Sequence, residues 1–91
     1  MKFYIKHSMT GRLRVHMDMK HMSFKQADIL EYYIKNIETV TSVKVYEKTC
    51  DAVIEFKGDK AQIINELKHF TYSQVVVPED VLNSSGREMN S

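Results

Sequence analysis

Two short patterns constrain this chain more than anything else in it. Ser23 is followed three residues later by Gln26, and Asp59 by Gln62. A serine or aspartate so placed accepts a bond from an unpaired first-turn amide, and the glutamine reaches back to the cap, so each pair marks a helix start. The first helix is expected from Phe24. Its buried stripe is Ala27, Leu30, Ile34 and Ile37, recurring every three or four residues, with Glu31 four before Lys35 on the wet side. The second helix follows Asp59, with Ala61, Ile64, Leu67 and Phe70 as its expected stripe.

Between and around these helices the pattern changes to a period of two. Phe3, Ile5, Leu13, Val15 and Met17 occupy odd positions, while Lys2, Lys6, Arg12, Arg14 and His16 occupy even ones, which is a strand with one polar face. The parity continues across "SMTG". We read it as one long strand bent at Gly11, although a hairpin through Ser8 to Gly11 preserves it too. On that reading His7 and Met9 share the parity of the core side, and Tyr4, Arg12, Arg14 and His16 belong to the other. "VTSVKVYEKTCDAVIEF" reads as two strands joined around Lys48 to Asp51, with Val43, Val45, Ile54 and Phe56 as core contacts. "YSQVVV" reads as a last strand, stopped by Pro78, which has no amide to give a sheet.

The resulting order, β-α-β-β-α-β, is that of an α+β, ferredoxin-like sandwich: one antiparallel sheet with both helices on a single face. Residues 1–78 form the domain, and residues 79–91 a polar linker or tail. A chain of 91 residues makes one domain with a two-layer core and no large cavity. Its net charge of +1 selects for neither nucleic acid nor anionic membrane. Cys50 is the single cysteine, which rules out an internal disulfide and a two-cysteine metal clip and fits a reducing cytoplasm. The first residues lack the apolar run of a signal peptide, and no segment approaches the length of a membrane span. A membrane connection would run through the rest of a larger protein.

Catalysis is not expected. No nucleophile is paired with a base, and "MTGR" offers one glycine and one arginine where an acylphosphatase-type phosphate loop needs more, with no asparagine in the middle strands. RNA-recognition modules of this topology stack bases on central-strand aromatics. Here the only such aromatic, Phe56, shares parity with the core residue Ile54.

The segment Arg14 to Gln26 gathers Met17, Met19 and Met22 with His16 and His21. Thioether and imidazole together suit Cu(I) or Ag(I), and imidazole also serves Zn(II), Co(II) or Fe(II). Met17, Met19, His21 and Met22 are therefore candidate metal ligands, joined by His7 if the strand bend brings it near. Neutral thioethers bind less strongly than thiolates, so such a site would be weak and exchangeable. The packing reading makes Met17 core, Met19 and Met22 a staple at the helix start, and His21 a solvated loop residue. Histidine or methionine could also serve as a haem axial ligand, for which a chain this small would need a dimer to form the slot. Cys50, beside Asp51 and near Lys48, is a free thiol. Arg12 and Arg14 form either a docking face for an acidic partner or phosphate, or a solvated strand face.

The helix "SFKQADILEYYIKN" followed by "IETVTSVKVYEKTCDAVIEF" resembles the heavy-metal-associated domain family. "VTSVKV" is similar to the "GVxSVxV" after the first helix of copper chaperones and of the N-terminal domains of metal-pumping P-type ATPases. The resemblance spans roughly Arg12 to Val77. It is nearest to a divergent branch at the N-terminus of bacterial metal-transporting ATPases, on "GRLRV", "QADILEYY" and "VKVYE" together. In that family two cysteines spaced C-x-x-C hold the metal where the first strand turns into the first helix. Aligning "VTSVKV" on "GVxSVxV" puts Ser23 and Gln26 in their places, and neither can supply a thiolate. The resemblance implies a non-catalytic cytoplasmic domain of a metal-transporting P-type ATPase, either regulatory and docking or weakly sensing a metal or haem, with the pump's cytoplasmic domains as partners. The alternative is a stand-alone adaptor or homodimerising module with no metal role.

Overall fold

The computed structural model describes residues 1–80. Beyond Glu79 and Asp80, the expected linker lies outside the described residues. Four strands, β1 (Phe3–Met9), β2 (Arg12–Met17), β3 (Val40–Tyr46) and β4 (Asp51–Phe56), and two helices, α1 (Phe24–Lys35) and α2 (Lys60–His69), make up the molecule, with a short 3-10 turn at Tyr72–Gln74. The sheet is antiparallel throughout, in the order β1-β2-β4-β3. It is the small α+β, ferredoxin-like arrangement expected, with one strand in an unexpected place.

Residues 3–17 are two strands and not one bent strand. Met9 pairs with Arg12 and Phe3 with Met17 across a tight turn at Thr10 and Gly11. Gly11 has φ +77°, and its carbonyl accepts a 3.0 Å bond from the amide of Phe56, which seats the turn on the end of β4. The extra strand has a consequence at the other end of the chain. In a βαββαβ sheet the last strand lies beside the first; here β1 fills that edge, next to β2. The place beside β2 that the expected "YSQVVV" strand would take is therefore filled, and the segment packs instead through its apolar side chains. Phe70 is buried between the rings of Tyr33 (4.9 Å) and Tyr72 (4.8 Å), and Val75 lies against the same cluster.

The core occupies the single layer between sheet and helices. Leu13, Val15 and Met17 from β2, Val45 from β3 and Ala52, Ile54 and Phe56 from β4 meet Ala27, Leu30 and Ile34 of α1. Val43 is only partly buried there. Ser23 caps α1 as its sequence predicts: its hydroxyl accepts from the Gln26 amide at 3.0 Å and the Gln26 side chain accepts from the Ser23 amide at 2.9 Å. Asp59 caps α2 by accepting from the Ala61 amide. The α2 stripe differs by one residue from expectation. Ile63 and Leu67 are fully buried and Ile64 only partly, while Ala61 is exposed. With two isoleucines in succession, the helix turns the one four residues before Leu67 inward, a choice that packing makes and spacing alone does not.

Three substitutions test these assignments. Ile63→Ala should cost about 2–5 kcal/mol by emptying a filled core position, whereas Ala61→Ser should stay within about 0.5 kcal/mol. Gly11→Ala should cost about 1–2 kcal/mol for its left-handed backbone, besides bringing a Cβ to 3.3 Å from the Phe56 carbonyl. Urea unfolding of the three variants measures all of these.

Candidate functional site on the open sheet face

The register of the strands determines what the uncovered face displays. Successive cross-strand partners place Tyr4, His16, Asp51 and Tyr46 in one row across the whole sheet. The next row holds His7, Arg14, Val53 and Lys44, and the one after it Met9, Arg12, Glu55 and Ser42. Tyr4, Arg12, Arg14 and His16 thus belong to the open face, as their parity requires. His7 and Met9 do not follow theirs. A bulge at Lys6 inserts one extra residue between Ile5, opposite Val15, and His7, opposite Arg14. An extra residue reverses the alternation beyond it, so His7 and Met9 move from the expected core side to the open face.

Lys6, at the bulge itself, also reaches that face. Asp51 is completely buried at the start of β4, and its carboxylate is closed over by three cationic or cationisable side chains. Lys6 Nζ donates to Oδ2 at 3.0 Å, Arg14 donates to the same oxygen through Nη2 at 2.9 Å and Nε at 3.2 Å, and His16 Nδ1 lies 2.8 Å from Oδ1. Burial by itself would raise the Asp51 pKa. The hydrogen bonds from His16, Lys6 and Arg14 and the charge of Lys6 more than offset it, and the group sits at about 2. An ionised carboxylate can only accept, so the proton of the His16 contact is on Nδ1, and Nε2 of the neutral ring is an acceptor. Tyr4 stacks beside that ring, with centroids 6.3 Å apart and planes 16° from parallel. Lys6, Arg14 and His16 remain between one-third and one-half exposed.

The residues singled out as metal ligands are not brought together. Met17 and Met22 are buried in the core, and the Met19 sulfur accepts from the Tyr72 hydroxyl at 3.7 Å. His21 is exposed, in a shallow groove of about 470 Å³ shared with Lys20, Ser23, Phe24 and Lys48. Ser23 and Gln26 are spent on each other in the α1 cap. His7 lies on the opposite side of the sheet from Met17. Among the described residues no three His, Cys, Asp or Glu side chains form a cluster able to hold a metal ion. The donors at the family's metal position therefore do not fit the metal that the resemblance implies. Cys50 is buried in the β3–β4 turn at φ +60°, and burial, then the neighbouring Asp51 charge, pushes its thiol pKa up, so it is a poor nucleophile and ligand.

Asp51 was absent from the expected site, whereas Lys6 shares the parity of Arg12 and Arg14. The signal for Asp51 was in the parity: Asp51, Val53 and Glu55 alternate with the core residues Ala52, Ile54 and Phe56, which puts two carboxylates opposite the polar residues of β2. The bulge that moves His7 and Met9 to this face leaves no such mark. Among the described residues no helix is long and apolar enough to cross a membrane. No family model, no curated protein and no solved structure matches the chain.

The cluster sets an acid limit on stability. Asp51 has its folded pKa lowered to about 2, against about 3.9 in an unfolded chain. Its contribution is therefore complete above the unfolded value and is lost as the pH falls through the folded one. Urea unfolding at a series of acid pH values should show the stability difference between the parent and Asp51→Asn shrinking over that window.

Proposed function

We propose that the chain is a non-catalytic docking domain, a divergent relative of the heavy-metal-associated domains of metal-transporting P-type ATPases, and that it works through its open sheet face. The observation that carries this reading is the cationic cluster. One face of the sheet is sealed by both helices, while the other presents Lys6, Arg14 and His16 fixed over a buried carboxylate, with Arg12 and Lys44 nearby. Side chains held in this way lose little further entropy on meeting a partner, which favours their use in recognition. The partner would be an acidic surface on one of the pump's cytoplasmic domains. The capped helix start at Ser23 and the "VTSVKV" strand, on which the resemblance rests, support this reading.

A role as a stand-alone adaptor or homodimer is favoured by a separate observation. β1 is an edge strand with Tyr4, Ile5 and Met9 exposed, and an uncovered edge can pair with another chain. Sedimentation of the chain over a range of concentrations distinguishes a self-associating module from a monomeric docking domain.

For docking, the expected result is that Arg12→Glu with Arg14→Glu weakens binding to purified cytoplasmic domains of a metal-transporting ATPase by at least about tenfold. Unchanged affinity would mean that the face is merely solvated. Any residual Cu(I), Zn(II), Co(II), Fe(II) or haem binding should be no different in His21→Ala and Met19→Ala, as measured by competition titration.

A further inference from the structure

We propose that Lys6, Arg14 and His16, held over the buried Asp51 carboxylate, form a recognition site for a phosphorylated serine or threonine side chain of a protein partner. The inference rests on the open face being the docking surface and names the group that it reads.

Lys6 has three N–H groups and gives one to Asp51; Arg14 has five and gives two. The remaining donors of both side chains lie on half-exposed groups, and His16 Nε2 adds a further donor when the ring is protonated. Asp51 therefore does not use up the three side chains. It fixes them side by side and cancels a single charge, so the cluster keeps a net charge of +1 with a neutral imidazole and +2 with a protonated one. A phosphate monoester carries close to two negative charges and three acceptor oxygens. Several converging donors suit it better than the two oxygens and single charge of Asp or Glu, and arginine with a second cation is a recurrent way of holding such a group.

The surroundings favour a protein-borne phosphate over a free one. The cluster lies on an open sheet and not in an enclosed cavity, so a small free anion would be held from one side only. A polypeptide carrying the phosphate can also cover the flanking Tyr4, Tyr46 and Val53, which occupy neighbouring positions of the same face. Arg12, His7 and Lys44 add positive or protonatable groups around it, and Glu55, opposite Arg12, is the other carboxylate there.

The test uses the 91-residue chain and three versions of one acidic peptide, with serine, phosphoserine or glutamate at its centre, and inorganic phosphate as a fourth probe. The phosphoserine peptide should bind at least about tenfold tighter than the other two and should shift the NMR resonances of the Arg14 guanidinium and the His16 ring. Lys6→Gln, on an edge-strand bulge where folding is least at risk, and Arg14→Gln should each weaken it by about tenfold, with the serine peptide little affected. Equal binding of the phosphoserine and glutamate peptides, or an unchanged affinity in Lys6→Gln, overturns the proposal. So does inorganic phosphate binding as tightly as the peptide, which would make the ligand a free anion. If all three peptides bind alike and the arginine reversals abolish it, docking on this face stands and phosphate recognition falls. If the phosphoserine peptide binds selectively while the pump domains do not bind, the ATPase reading falls alone.

Discussion

A carboxylate with no solvent exposure lies on the sheet's otherwise wet face, and the arrangement around it follows from the need to keep it charged. An ionised side chain taken out of water costs several kcal/mol unless its lone pairs are met. Asp51 meets that requirement by drawing Lys6, Arg14 and His16 from two neighbouring strands onto its two oxygens. The same requirement explains why the three side chains, which would otherwise be solvated and rotationally free, adopt one geometry. Removing one partner of such a buried group is far more damaging than the net worth of the contacts suggests, because the remaining charge is left uncompensated.

The bulge in β1 decides what the strand displays beyond Lys6. Without the extra residue, strict alternation would place His7 opposite Leu13 and turn its imidazole toward the helices. With it, His7 joins Arg14 on the open face, and the core row resumes at Ser8 opposite Leu13. Lys60 Nζ then donates to the Ser8 hydroxyl at 2.9 Å, tying the start of α2 to this strand. One inserted residue thus shapes both the open face beyond Lys6 and the contact between sheet and helix.

How much of this was legible in the sequence depends on the range of the interaction. The α1 cap, its stripe and the two middle strands are local, and Ser23, Gln26, Ala27, Leu30 and Ile34 do what their spacing says. The turn at Gly11 was ambiguous because a two-residue hairpin and a bent strand leave the same alternation. Ile63 displaced Ala61 from the α2 stripe because packing against the sheet outweighed a regular spacing that either isoleucine could satisfy. The methionines illustrate the limit of composition: Met17 and Met22 are core, and Met19 meets Tyr72, far away in sequence. Asp51 escaped notice because its importance comes from three partners that only the folded sheet assembles.

Placing β1 where the final strand of a βαββαβ sheet would lie also changes how such a molecule can form. Joining the first strand to the last requires the chain to close a loop spanning nearly the whole domain before that contact gives anything back. Here the same edge is completed by neighbours across the Thr10 and Gly11 turn. Sequence separation between contacting residues is the main topological brake on folding speed. Exchanging the longest-range pairing of the sheet for the shortest lowers that brake, and it leaves the segment after α2 to pack through its apolar side chains.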